Sequence, residues 1–258
     1  MVNQIKIEST VSNGDSTIYS TENPKSTFGN IATTLSPYNK GISNCKINSN
    51  YSITSGLTHY WGFNGNLNDS IGYAHLFGGM NYNLTLNRFN SSYSALNLTY
   101  GFLKMPDGVY FNSSFTAMSW INVKEFTNWA RLFDIGIGQT QNVFLSYTMY
   151  TNQIPYGYTA NDGGSTNLNP ATQLFANKWQ HLAFVLDNQI ASIYIDGVQQ
   201  VFKASFAIPK NVDRDTCFIG KSNWNDGLAN AYFDEIKFFN RALTNQEIIF
   251  EMANDFCL

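Results

Sequence analysis

The sequence predicts an all-β domain, a two-sheet antiparallel jelly-roll sandwich closed by one short C-terminal helix and preceded by an extended N-terminal arm. Three observations carry this. From His59 onward the chain is a succession of short, half-alternating aromatic and β-branched runs cut by Gly, Asn and Asp, the pattern of strands with one face on a core. Two turn signals, Asp187-Asn188-Gln189 and Asp196-Gly197, sit between such runs and should link three consecutive strands as a meander. One helical signature follows Asn240: Thr244 and Glu247 have capping-box spacing, and Ile248, Ile249 and Met252 form a single apolar stripe.

Taken in order, residues 1–55 come first. The stretch "STVSNGDSTIYSTENPKSTFGN" is rich in Ser, Thr and Asn with isolated apolar residues, too few to build a core that offsets the entropy of ordering. This arm is expected to lie across its own domain or to be held by a neighbouring copy, self-association by strand addition being the second case. Residues 56–258 form the domain. Its strands are read at "HYWGF", "SALNL", "FTAMSWINV", "RLFDIG", "NVFLSYTMY", "WQHLAFVLD", "IASIYID", "CFIG" and "YFDEIKFF", and so many in one domain point to two packed sheets.

Composition narrows the function classes. A chain of 258 residues with 43% apolar and 16% aromatic content buries one substantial core. Charged residues make up only 13%, the net charge is −3, and Lys and Arg nowhere cluster, so the field for nucleic-acid or anionic-membrane binding is missing. No apolar run approaches the roughly 20 residues of a membrane helix, and "MVNQIKIEST" lacks the apolar stretch of a secretory signal. Asn, Ser and Thr dominate the polar residues, a surface expected of a secreted or cell-surface protein. Six Asn-x-Ser/Thr sequons begin at Asn50, Asn68, Asn83, Asn90, Asn97 and Asn112, all in one stretch, where glycan would coat one sector and leave the rest free for contact.

The chemistry-bearing residues argue against catalysis. Adjacent Asp234 and Glu235 lie on a strand, where neighbours point to opposite faces; simple alternation sets Asp234 with Tyr232, Ile236 and Phe238, and Glu235 outward beside Lys237. His59, His75 and His181 are the only imidazoles, and none sits in a nucleophile or metal motif; His181, alternating with Trp179 and Ala183, reads as structural. Cys45, Cys217 and Cys257 have no zinc spacing, and Cys217 in "TCFIG" reads as a core thiol. Trp129, Tyr156, Tyr158 and Trp224 are candidates to stack on sugar rings, with the Asn-rich loops "GYTANDGGSTN" and "KSNWNDG" offering amides to hydroxyls; the plainer reading is that half of them simply pack.

The segments "HYWGFNGNLNDSIG", "FTAMSWINV", "KWQHLAFVLD", "ASIYIDGVQ" and "FDEIKFFNRALTNQEI" together resemble, in order and over about 200 residues, the laminin-G-like or concanavalin A-like jelly-roll domain. The resemblance implies that the first and last strands pair antiparallel, setting "HYWGF" beside "EIKFF" and bringing the domain's ends together. A Cys45–Cys257 bridge would then close those ends. It also brings the loop carrying Asn64, Asn66 and Asp69 toward Asp234. A carboxylate among apolar neighbours needs a partner, and three are open: Arg241, a calcium ion shared with that loop, as family members often bind, or the loop's own backbone amides. The Glu-x-Asp-x-x-Glu pattern of the fold's glucanases is absent. The function this implies is a non-catalytic contact module, an adhesive or structural building block of an extracellular assembly, or alternatively a calcium-assisted glycan-binding lectin.

Overall fold

The computed structural model describes residues 55–161 and 164–254. The arm up to Thr54, the sequon at Asn50, and Cys45 with Cys257 lie outside the described residues. Among the described residues there are thirteen strands and one helix. The strands are β1 (Leu57–Trp61), β2 (Phe77–Thr85), β3 (Ala95–Lys104), β4 (Phe115–Glu125), β5 (Arg131–Ile137), β6 (Thr140–Ser146), β7 (Tyr156–Asn161), β8 (Gly164–Leu168), β9 (Trp179–Asp187), β10 (Ile190–Ile195), β11 (Val198–Lys203), β12 (Thr216–Ile219) and β13 (Ala229–Phe239), followed by α1 (Asn245–Asn254). Hydrogen bonding runs in the order β11-β10-β9-β4-β13-β3-β12-β5-β6-β7-β8, with β1 joined to β13 and β2 to β3. One apolar cluster draws Phe184, Ile193 and Phe238 from the first half of that order and Leu103, Phe133 and Leu145 from the second. The two halves therefore face one another across a common core, the antiparallel sandwich that the sequence predicts.

The meander β9-β10-β11 forms where its turns were marked: Asp196 and Gly197 both have positive φ, 50° and 75°, as a two-residue turn matched to strand twist requires. Two elements depart from the sequence reading. "GYTANDGGSTN" is not a loop but most of the β7–β8 pair. Strand β2 is hidden in the sequence by Gly78 and Gly79; at Gly79 (φ 89°) a Cβ would stand 2.0 Å from the Phe102 carbonyl oxygen, so only glycine lets this irregular edge strand approach β3.

The expected closure is present. Strand β1 pairs antiparallel with β13, Tyr60 opposite Lys237 and Trp61 opposite Ile236, and the ends meet: Asn240 N donates to Gly56 O at 2.8 Å and Arg241 Nε to Ser55 O at 2.8 Å. The strand parity, however, differs from simple alternation. Opposite β4, Asp234 faces Trp120 and Lys237 faces Met118, so β13 carries one extra residue, a β-bulge in which Glu235 takes φ 54°. Phe233, Ile236 and Phe238 point into the core, while Asp234 shares the opposite face with Tyr232 and Lys237, not with Ile236 and Phe238. That opposite face is itself covered in part by α1, which packs Ile248 with Met118, Ala183, Val185 and Phe239. The helix begins as predicted: Glu247 N donates to the Thr244 hydroxyl oxygen at 3.3 Å, and Thr244 N donates to Glu247 Oε2 at 2.8 Å.

Candidate functional site

The side chains of β5, β6 and β7 that point away from the core form two cross-strand rows. Arg131, Ser146 and Tyr156 make one; Asp134, Phe144 and Tyr158 make the other. Tyr158 stacks on Phe144 at 4.5 Å with 13° between the rings, and the Arg131 guanidinium lies 3.9 Å from the Phe144 ring centroid on the same sheet face. A cation over an aromatic ring in a buried setting is held electrostatically.

Two loops raise walls around this floor. The turn at 127–130 carries Trp129, which meets Tyr156 edge-on at 5.1 Å. Its φ of 52° is a costly conformation for a bulky residue, and it is imposed from both sides: Trp129 N donates to Tyr150 O at 2.9 Å, and Ala130 N to Thr127 O at 3.2 Å. The segment "KSNWNDG" at 221–227 carries Trp224, edge-on to both Phe144 (5.8 Å) and Tyr158 (6.2 Å). The two loops are tied together, Gly227 N donating to Asn128 O at 2.7 Å and the Thr127 hydroxyl to Leu228 O at 2.7 Å.

Buried charge fixes the second loop. Arg131 donates from one terminal nitrogen to Trp129 O (2.7 Å) and from the other to Asp226 Oδ2 (3.0 Å), and its Nε lies 3.6 Å from Asp134 Oδ2. Asp134 accepts from Asn142 Nδ2 (2.9 Å), Asn223 Nδ2 (3.0 Å) and Asn223 N (3.0 Å). Burial pushes the Asp134 carboxyl up, but every hydrogen bond it makes is one it accepts, which holds it as a carboxylate. Burial likewise lowers Arg131, and its two carboxylate neighbours oppose that. Gly136 belongs to the same arrangement: a Cβ there would stand 2.1 Å from Asn142 Nδ2 and drive that amide off Asp134.

The outcome is a cleft of about 300 Å³ lined by Trp129, Arg131, Phe144, Tyr156, Tyr158, Trp224 and Asp226, at the small end of ligand sites. All four aromatic residues singled out for stacking converge here. Arg131, Asp134, Phe144 and Asp226 carry no sequence motif; the visible signal is two opposite charges within the otherwise apolar "RLFD" of a chain so poor in charge.

The residues proposed to hold calcium have protein partners of their own. Asp234 takes Arg88, Nη1 to Oδ2 at 2.6 Å, and not Arg241, which pairs with Glu247 at 2.8 Å. Asp69 organises its own loop: it accepts from the amides of Tyr60 (2.9 Å), Ile71 (3.0 Å) and Ala74 (3.0 Å), with His59 Nδ1 at 2.7 Å. Asn66 Oδ1 caps Asn68 N at 2.8 Å and its Nδ2 donates to Asn64 O at 3.2 Å. The backbone-capping role considered for Asp234 thus falls to Asp69, and among the described residues no group of three or more His, Cys, Asp or Glu is placed to hold a metal ion. Glu235 is not simply solvent-facing: it accepts from the Tyr60 hydroxyl at 2.8 Å and lies 3.4 Å from Lys237.

Burial works to raise the Asp69 carboxyl, but His59 and the backbone amides outweigh it and hold it well below the usual range. The stability this contributes is fully present above the unfolded value near pH 4 and is lost as pH falls through the lower folded value. Melting temperature should therefore fall more steeply below pH 4 in the parent protein than in Asp69→Asn, read by thermal melts across pH 2 to 5. His181 is buried edge-on to Trp120 at 5.4 Å, pushed down to about 3 by burial with Lys237 and Arg88 adding to it, and stays neutral. Cys217 is buried and free, its thiol pushed up to about 12 by burial. Of the sequons, Asn68, Asn83, Asn90 and Asn112 are exposed, while Asn97 is half-buried and donates to Asn83 Oδ1 at 2.9 Å.

A family model of the concanavalin A-like lectin/glucanases superfamily matches residues 97–249. The chain belongs to that superfamily. Solved structures with this fold include domain 4 of AbnA, a GH43 extracellular arabinanase from Geobacillus stearothermophilus in complex with arabinotriose, at TM-score 0.60 and 19% identity over 76% of this chain and 98% of that one. The binding domain of Paraclostridial Mosquitocidal Protein 1 aligns at TM-score 0.62 and 15% identity over 80% of this chain and 53% of that one. A Trypanosoma rangeli sialidase mutant displaying trans-sialidase activity aligns at TM-score 0.57 and 16% identity over 78% of this chain and 33% of that one. The chain thus spans about half of the toxin domain and a third of the sialidase. Identities this low show a shared fold, one that serves binding domains and also occurs in enzymes. No curated protein matches the sequence.

Proposed function

We propose that this concanavalin A-like domain is a non-catalytic carbohydrate-binding module that takes saccharide in the cleft between Trp129 and Trp224. The observation that carries the reading is the convergence of Trp129, Tyr156, Tyr158 and Trp224 on a floor of Phe144 and Arg131: aromatic walls for the apolar faces of sugar rings, and a few fixed polar groups for hydroxyls. The carbohydrate complex of the arabinanase domain shows that the fold can present such a ligand. The cleft's two carboxylates do not resemble an acid and base pair. Asp134 is fully buried and saturated with donors, which leaves Asp226 alone at the surface. Both already have Arg131 as their cation, so binding should survive a chelator.

Titration calorimetry of the whole chain with a panel of oligosaccharides tests this. Trp224→Ala should weaken any sugar that binds by at least about 30-fold, the roughly 2 kcal/mol of a central contact residue. Equal affinity in a folded Trp224→Ala protein would place the sugar elsewhere.

A second reading, the adhesive or structural building block, draws support from β2. Among the described residues it pairs only with β3 and exposes Phe77, Met80 and Tyr82, and an apolar edge strand is a template for another chain. A secreted setting with glycan at the exposed sequons belongs to both readings. If this edge mediates self-association, Met80→Lys should shift sedimentation of the full chain to monomer.

A further inference from the structure

The carbohydrate reading leaves open which sugars the cleft accepts, and its charges decide between classes. We infer, on the basis of that reading, that the cleft selects neutral oligosaccharides and discriminates against acidic ones, whether uronic, sialylated or sulfated. An arginine in a sugar site would ordinarily point to an anionic ligand, because its planar fork matches a carboxylate. Arg131 is not free for that role. Each of its three nitrogens is turned to a protein acceptor: Trp129 O at 2.7 Å, Asp226 Oδ2 at 3.0 Å and Asp134 Oδ2 at 3.6 Å. Its guanidinium is also laid over Phe144 at 3.9 Å, and the residue is only 3% exposed. The guanidinium is part of the floor and not a ligand hook.

The charge balance points the same way. One cation, Arg131, stands against two carboxylates, Asp134 and Asp226, so these three side chains sum to −1. An incoming carboxylate or sulfate meets surplus negative charge in a partly desolvated setting, where like charges repel most. A neutral sugar meets the reverse. Asp226 is the partly exposed member, and its Oδ2 takes both Arg131 and the Ser222 hydroxyl, the latter at 2.8 Å. Among the described residues no hydrogen bond reaches its Oδ1, which therefore offers an acceptor to a sugar hydroxyl. An acidic sugar would bring another acceptor to the same place and leave both unpaired.

The test is a matched comparison: galactose against galacturonate oligomers of equal length, and lactose against sialyllactose, titrated into the full chain at low and at high salt. The neutral member of each pair should bind at least about tenfold more tightly at low salt, with the gap narrowing as salt screens it. In Asp226→Asn, checked for folding by circular dichroism, the gap should shrink, because the surplus charge is gone. Acidic members binding as well as or better than neutral ones, with Trp224→Ala still weakening both, would overturn the charge selection and leave the cleft as a sugar site. If no member of any pair binds, the carbohydrate reading fails, and the selection fails with it.

Discussion

An Arg131→Met variant is expected to lose about 3–5 kcal/mol of stability, the cost of breaking a buried ion pair by removing one partner, and with it the cleft. Methionine keeps an unbranched stem against Phe144 but leaves Asp134, which is fully buried, without its cation, and Asp226 without the contact that ties its loop to β5. The loss should also depend on pH with a definite sign. Without Arg131, burial raises the folded Asp134 carboxyl further above its unfolded value. The folded state then holds a proton that the unfolded chain has released, and stability falls as pH rises through the raised value. Urea denaturation should show a larger deficit at pH 8 than at pH 5, and Arg131→Met combined with Asp134→Asn should recover part of it. A single variant as stable as the parent at both pH values would show that the pair does not hold the cleft.

Phe238→Ala should cost about 3–5 kcal/mol for the same domain by a different route, the cavity left in a close-packed core. Phe238 is fully buried and touches Trp61 at 5.2 Å, Phe111 at 5.0 Å and Phe133 at 5.1 Å between ring centroids, so β1, β5 and the segment before β4 lean on one ring. Phe202→Ala is the control. Phe202 is 68% exposed, and its loss should stay within about 0.5 kcal/mol. Equal effects would mean that β13 does not close the core as described.

Phe238 also shows where sequence and structure part. That "EIKFF" lies beside "HYWGF" was legible, because apolar alternation and the capped helix after it mark a closing strand. Which face each residue takes was not. Alternation assumes an unbroken ladder, and the extra residue at Glu235 breaks it, so that Ile236 and Phe238 share the core face with Phe233 while Asp234 lies on the other face with Tyr232 and Lys237. Asp234's partner was equally out of reach, since Arg88 comes from a segment with no strand or motif of its own. At the cleft the residue types were legible and the site was not. Trp129, Tyr156, Tyr158 and Trp224 reach it from a strained turn, a strand taken for a loop, and a loop anchored by a buried aspartate. The pairing of β5 with β6 and of β6 with β7, and the bonds that tie the two loops together, make them neighbours.

The most direct test of the cleft as the binding site uses the five tryptophans, Trp61, Trp120, Trp129, Trp179 and Trp224, as internal reporters. Their indole N–H resonances can be followed by two-dimensional NMR while an oligosaccharide that binds is titrated in. The account predicts that Trp129 and Trp224 shift together along one saturation curve while Trp61 and Trp179 stay in place. Saturable binding that leaves Trp129 and Trp224 unmoved would contradict it.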